Sequence, residues 1–387
     1  MFLSSYGLIL NKLLLRFDKS SNNLILGLRR PYYIKRKKAL LSYIPSPVHA
    51  YLEGKKTVRF SNDGIAISWA IVLTDLGYEV DIISWDDLSF RVNKDYDLFV
   101  CHGGVNFDYI YAQFKKIPKI IYFATGNYWK FHNNQEVKRI NSFNKKYNAN
   151  FKTDRFIEYS EEKANRLADA IIVLGNESSK KMFPNKKIYN INNASYEDKH
   201  FNTIIKNKDF EKTRDNFMFF AGAGNVHKGL DILLEAFKGL DINLYVVGHI
   251  DDEFYKIMKP FFNEANIHKV GEVSMRSREF YEISDKCAFV ILPSCSEGQA
   301  GSVVECMNQG LIPIVTEETR LDTKGFGVTL KNASVREIKC ISKKMANLSP
   351  DKIKKMALEV RKDVLNNHSQ KYFFNKIKEY LYNIINE

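Results

Sequence analysis

The 387-residue chain carries 58 Lys+Arg against 45 Asp+Glu, a formal net charge of +13, with 45% hydrophobic and 13% aromatic residues. That length and apolar content supply cores for two ordinary domains and exclude a disordered or fibrous chain. The charge favours anionic partners without choosing among nucleic acid, anionic lipid and phosphorylated substrates.

At the N-terminus, Phe2, Leu3, Tyr6, Ile9, Leu10, Leu13, Leu14 and Phe17 recur at three-to-four spacing, the pattern of an amphipathic helix. Asn11, Lys12 and Arg16 interrupt it, so it falls short of the ~18 apolar residues of a membrane span, and it lacks a signal-peptide cleavage site. A basic run follows from Arg29-Arg30 to Lys35-Arg36-Lys37-Lys38. Two readings stay open: a helix packed on the first domain beside a solvated charge run, or an in-plane anchor with a polybasic patch on an anionic membrane.

From Lys56 short apolar strands alternate with helical segments. KKTVRF reads as a strand and Ser61-Asn62-Asp63-Gly64 as a loop, followed by the helix AISWAIVLTDLGY. YEVDIISW, DYDLFVCHGG, PKIIYFATGN, DAIIVLG and KKIYNINNA read as further strands. The alternation lapses in the polar segment 206–216 and restarts with the strand FMFFAG, the loop GAGNVHKG and the helix GLDILLEAFKGL. INLYVVG, HKVGEV, AFVILPS and LIPIVT are strands, SREFYEISDKC is a helix, and QKYFFNKIKEYLYNIINE is a terminal amphipathic helix. The fold class is therefore α/β, with two successive doubly wound domains. The expected division is 1–40, an N-terminal domain 41–205, a linker 206–216, a C-terminal domain 217–366 and a terminal helix 367–387.

Open sheets of this kind bind ligands beyond the carboxyl ends of their strands. Two loops there carry the chemistry. In FVILPSCSEGQAGSVVECMNQGLIPIVT, Glu297 and Glu305 flank a helix start at Gly301, Ser302 and Val303, whose N–H groups suit a phosphate, and Gly298 and Gly301 allow close backbone approach. The spacing of the two acids alone is weak, and the helix dipole by itself favours a carboxylate such as Glu305 on a first turn. In GAGNVHKG, Gly222, Asn225 and Lys228 form a glycine-rich strand-to-helix turn that suits an anion, although it is neither a Walker loop nor a dinucleotide fingerprint. Asp95-Tyr96-Asp97 sits at the amino end of a strand, the wrong end for a metal site. Cys101, Cys287, Cys295, Cys306 and Cys340 are scattered without a CxxC pair. That argues against a disulfide framework or a zinc site and suits a reducing cytoplasm.

The order GAGNVHKGLDILLEAF, YVVG, VGEV and FVILPSCSEGQAGSVVECMNQGLIPIVT resembles the donor domain of retaining GT-B glycosyltransferases, in particular glycosyltransferase family four. FSNDGIAISWAIVLTDLGYEVDIISW, IIYFATGNYWKFHN and ADAIIVLGNESSKKMF resemble its N-terminal domain more weakly. The resemblance implies two Rossmann-like domains facing a central cleft, with the C-terminal helix returning to the N-terminal domain. It also implies a hexosyltransferase-type, retaining, metal-independent enzyme that needs no cofactor and takes a UDP- or GDP-sugar as donor. Glu297 would lie by the sugar hydroxyls, Glu305 by the ribose and Lys228 by the diphosphate. Gly64 would belong to the glycine loop of the N-terminal domain. His132, with His102 as its competitor, would hydrogen-bond the transferred sugar. Where the family usually carries an Arg, this chain has Ala223, so one diphosphate cation is missing unless Asn225 or His227 compensates.

The expected acceptor is a glycan or lipid-linked hydroxyl in bacterial cell-surface polysaccharide synthesis. The expected location is cytoplasmic, peripheral on the membrane face through the basic N-terminal segment. A GT-B-like nucleotide-sugar-binding regulatory subunit is the alternative. Without zinc-finger spacing or RNP-like aromatics, no nucleic acid is expected.

Overall fold

The computed structural model describes residues 14–387 except 56–60, 184–186, 196–197, 199 and 206–207. Most of the expected N-terminal helix and nearly all of the KKTVRF strand lie outside the described residues. Chain contacts divide the protein into two compact units. One comprises Met1–Tyr128, Glu158–Tyr196 and His368–Glu387; the other comprises Trp129–Ile157 and Glu197–Asn367.

The first unit holds an eight-stranded sheet in the order β1-β2-β4-β3-β5-β6-β7-β8. The strands are β1 (Lys19–Ser20), β2 (Leu24–Leu28), β3 (Lys37–Tyr43), β4 (Tyr78–Ser84), β5 (Leu98–Cys101), β6 (Lys119–Ala124), β7 (Ala170–Leu174) and β8 (Ile188–Ile191). From β4 through β3 to β8 the pairing is parallel, while β1 and β2 form an antiparallel edge. Strand β3 ends in five consecutive buried residues, as expected of a strand covered on both faces. The last two lysines of the basic run, Lys37 and Lys38, are the entry to this interior strand and not part of a separate segment.

The Asp-Tyr-Asp triplet serves the same sheet: Asp97 accepts from the Lys38 N–H at 2.8 Å, and buried Tyr96 donates to Asp81 at 2.5 Å. Residues Ser61–Gly64, expected as a loop, are instead the first turn of the helix Ser61–Asp75. Asp63 in that turn complements the helix dipole, and the run Ile65–Leu73 is buried throughout. The helix Gln370–Asn386 buries Phe373, Phe374, Ile377, Leu381 and Ile384 in this unit's core and packs against Ser61–Asp75, so the chain's end does return to the first unit.

The second unit has a six-stranded, wholly parallel sheet in the order β11-β10-β9-β12-β13-β14. Its strands are β9 (Asn216–Ala221), β10 (Asn243–Gly248), β11 (Ile267–Gly271), β12 (Phe289–Leu292), β13 (Ile312–Thr316) and β14 (Val328–Leu330). Counted from β9, this is the doubly wound order 3-2-1-4-5-6. The chain runs outward from β9 through β10 to β11, then returns to pair β12 on the other side of β9, with Phe289 opposite Phe217 and Val290 opposite Met218. The strand order therefore reverses between β9 and β12. The loops leaving their carboxyl ends are the two singled out from sequence. The helix Trp129–Tyr147, although early in the chain, belongs to this unit: its Ile140 and Phe143 join the second core, with Phe143 stacked on Phe254.

Candidate functional site

At the reversal, the loop after β9 turns tightly. Lys228 N–H donates to the Gly224 carbonyl at 2.8 Å and Gly229 N–H to that of Val226 at 3.0 Å. Gly229 lies in the left-handed region at φ 76, and a Cβ there would stand 2.6 Å from the Pro293 carbonyl oxygen. Only glycine lets this turn lie so close to the end of β12. The Cys295 N–H closes the contact by donating to the His227 carbonyl at 3.0 Å.

The consequence is an ion pair. Lys228 Nζ donates to Glu297 Oε1 at 2.6 Å, and Ser294 Oγ donates to the same oxygen at 2.9 Å. Burial opposes the charge on Glu297, but the cations of Lys228, His227 and Arg155 outweigh it and hold the carboxyl at about 2.

Beside this pair the helix Gly301–Asn308 begins, with no side chain capping it at Ala300. Val303 and Val304 turn their N–H groups to the Ala300 carbonyl. Those of Gly301 and Ser302 precede any intrahelical acceptor and carry the positive end of the dipole. Gly222, at the end of β9, faces open space: a Cβ there would meet nothing within 4 Å. A cation, an uncapped helix end and room beside a strand terminus suit a phosphate-bearing ligand.

Glu305 is 1% exposed and is held by Arg276, which donates to its two oxygens at 2.6 Å each through Nη2 and at 3.1 Å through Nε. Arg276 itself sits at φ 61. Nothing in its sequence neighbourhood marks it; only the unmatched charge of a buried glutamate calls for such a partner. The Asn225 side chain faces inward, donating to the His249 carbonyl and accepting from the Asp251 N–H, so it fixes the loop after β10 and is not directed at a ligand.

His132 reaches the same region from the helix Trp129–Tyr147. Its Nε2 donates to the Arg155 carbonyl at 2.6 Å, which leaves Nδ1 to accept from Ser296 Oγ at 3.1 Å. Burial lowers its pKa and keeps the ring neutral. His227 differs, since Nε2 donates to the Ser296 carbonyl and Nδ1 shares a proton with Glu136, each at 2.5 Å. Burial opposes that charge, but the contacts with Cys295 and Glu136 outweigh it and raise the pKa to about 10.

Arg155, which the sequence did not mark, is exposed, and its side chain lies over the glycine turn: a Cβ on Gly224 would be 2.9 Å from its Cγ. Its guanidinium makes no ion pair among the described residues. Gly64 and His102 belong to the other unit. His102 Nε2 meets Thr125 Oγ1 at 2.7 Å, and the ring packs by Trp85 and Tyr43. One group among the described residues has donor atoms spaced for a metal ion, namely Glu136, His227 and Cys295.

Residues 201–339 match the family model described as glycosyl transferases group 1. Over those residues the chain is similar to that family. An uncharacterized glycosyltransferase of Methanocaldococcus jannaschii is 33% identical over 110 residues, which cover 28% of this chain and 30% of that protein. The match thus spans under a third of the curated relative.

Among solved structures, sucrose-phosphate synthase from Thermosynechococcus elongatus aligns at TM-score 0.61 with 11% identity, covering 91% of this chain and 99% of that one. Anabaena HepE in complex with UDP and glucose aligns at TM-score 0.55 with 13% identity, covering 90% and 99%. A variant of S. aureus TarM, solved with fondaparinux, alpha-GlcNAc-glycerol and UDP, aligns at TM-score 0.52 with 15% identity, covering 75% and 55%. The fold is GT-B, two Rossmann-like domains.

Proposed function

We propose that the protein is a retaining, hexosyltransferase-type glycosyltransferase that takes a nucleotide-diphosphate sugar and transfers the sugar to a hydroxyl of a glycan or lipid-linked acceptor. The observation that carries this reading is the Lys228–Glu297 pair beside the uncapped N-terminus of Gly301–Asn308, inside the segment that matches the family model. The donor diphosphate lies against Gly222, Gly301 and Ser302 with Lys228 as its cation, and Arg155 supplies the charge that Ala223 lacks. Glu305 takes the ribose, Glu297 takes the sugar hydroxyls, and neutral His132 takes one of them by exchanging Ser296 Oγ at its Nδ1.

As the anomeric carbon–phosphate oxygen bond breaks, its electron pair goes to the diphosphate. Lys228 and the helix end stabilise that developing charge, so no metal is needed there. The acceptor oxygen bonds the anomeric carbon on the same face, and its proton passes to the departing phosphate oxygen. UDP in the HepE and TarM structures supports a uridine donor.

A place on the cytoplasmic membrane face, where polysaccharide precursors are extended, is supported by Ile34. That residue is 96% exposed within the run Arg29–Lys38.

A panel of UDP- and GDP-sugars, with nucleotide release measured and the product anomer read by NMR, tests the proposal. Turnover with retained configuration, lost in Lys228→Ala and Glu297→Ala, is the expected result. Binding of a nucleotide sugar without turnover would instead establish a noncatalytic binding subunit. Salt-sensitive co-sedimentation with anionic vesicles tests the location.

A further inference from the structure

We propose that Glu136, His227 and Cys295 form a binding site for a zinc-class divalent transition metal that ties the loops after β9 and β12 to the helix Trp129–Tyr147. None of the three has a part in the transfer step above. Their donor atoms, Glu136 Oε2, His227 Nδ1 and Cys295 Sγ, all lie within 4.8 Å of one another. Nδ1 and Sγ are 3.5 Å apart, the separation that bonds of about 2.05 and 2.3 Å at tetrahedral angles require. Nδ1 and Oε2 are 2.5 Å apart across a hydrogen bond. This edge must open by roughly 1 Å to admit the ion. The metal replaces the shared proton: bonds form to Nδ1, Sγ and Oε2, the protons on Nδ1 and Sγ pass to solvent, and no redox change is involved.

The surroundings are already arranged for ligation. Nε2–H of His227 donates to the Ser296 carbonyl at 2.5 Å, which turns Nδ1 towards the other two ligands. The second Glu136 oxygen accepts from the Asp154 and Arg155 N–H groups at 3.2 Å each, so the carboxylate keeps an anchor while Oε2 moves. Cys295 is partly exposed and lines a cavity of about 400 Å³ with Gln135, Arg139, Thr316 and Glu318, which gives the ion a route in and a solvent molecule the fourth position. A mixed nitrogen, oxygen and sulfur set selects zinc-like ions over magnesium or calcium. The three ligands come from positions 136, 227 and 295, so no local spacing announces them.

The test uses the full chain after metal removal by a chelator, titrated with Zn²⁺ against a chromogenic chelator and separately with Co²⁺. One equivalent of Zn²⁺ binds, Co²⁺ gives a near-ultraviolet thiolate-to-metal band, and Zn²⁺ raises the melting temperature by mass action. Cys295→Ser and His227→Gln each weaken binding by at least about tenfold. Cys340→Ser does not. Cys295→Ser changes a partly exposed position nearly isosterically, and the Co²⁺ spectrum is read on the wild type, so both remain informative if His227→Gln fails to fold. No stoichiometric binding, or binding that Cys295→Ser leaves unchanged, overturns the proposal.

Discussion

Lys228 Nζ lies 2.6 Å from Glu297 Oε1, and their side chains are only 10% and 13% exposed. Removing one member leaves the other charged and enclosed. Lys228→Met is therefore expected to cost about 3 kcal/mol of stability and a factor of about 10²–10³ in transfer. The double variant Lys228→Met/Glu297→Gln regains most of the stability and none of the activity. Urea melts and turnover of the four-member cycle check this; equal recovery of both quantities would contradict it.

Two glycines of the same loop separate fold from function. A Cβ on Gly229 meets the Pro293 carbonyl at 2.6 Å in a left-handed backbone, whereas a Cβ on Gly222 meets nothing. Gly229→Ala is expected to lose about 2 kcal/mol or more. Gly222→Ala keeps its melting temperature but binds nucleotide sugar about tenfold more weakly, roughly 1.4 kcal/mol, because the methyl occupies space assigned to the diphosphate. Thermal shift with and without donor measures both.

Arg155 is exposed, and its contacts with Glu136 and His132 run through its backbone. Arg155→Ala should therefore leave stability within about 0.5 kcal/mol of the wild type. It should weaken donor binding by about tenfold and flatten its dependence on salt. Isothermal titration at two ionic strengths distinguishes this from a loss of folding.

These residues mark the boundary of what the sequence discloses. The loop–helix–strand run through Glu297 and Glu305 is legible because an apolar strand, a glycine loop and a helix start are local patterns, and they fall at Phe289–Leu292, Gly301–Asn308 and Ile312–Thr316. Lys228 is legible for the same reason. Arg155, Arg276 and Glu136 are not, since each acts on a residue far away in the chain and carries no local signature. The helix Trp129–Tyr147 follows a strand of the first sheet, so sequence order assigns it there, yet Ile140 and Phe143 bury against Phe254 of the second core. The strand at Lys37–Tyr43 was obscured by the basic run that leads into it.

His102 gives a pH dependence with a definite sign. Burial lowers its pKa from 6.5 to about 4, and its Nδ1 is enclosed without a partner among the described residues. The unfolded chain therefore binds a proton at higher pH than the folded one. The contribution of the neutral ring is fully present above pH 6.5 and is lost as the pH falls from there towards 4. The loss is up to about 3 kcal/mol, less to the extent that the half-buried ring reaches water. Denaturant midpoints between pH 7 and 4.5 should fall more steeply for the wild type than for His102→Asn; parallel curves would refute the assignment.

On the proposed function, the Arg276–Glu305 pair would link packing to nucleotide choice. A buried carboxylate gripped by a planar guanidinium depends on geometry as well as charge, so Arg276→Lys is not a neutral change. Arg276→Ala is expected to cost about 3 kcal/mol, because Glu305 is then left enclosed with its charge. Glu305→Gln costs less, since Arg276 keeps 19% of its side chain in solvent and can be hydrated there. If Glu305 accepts a ribose hydroxyl, one of its bonds from Arg276 must be shared with the ligand. The wild type should then prefer UDP to 2′-deoxy-UDP, and Glu305→Gln should bring the two affinities together by weakening UDP alone. A variant that weakens both nucleotides equally would make the pair a support of the helix Gly301–Asn308 and not a contact of the sugar.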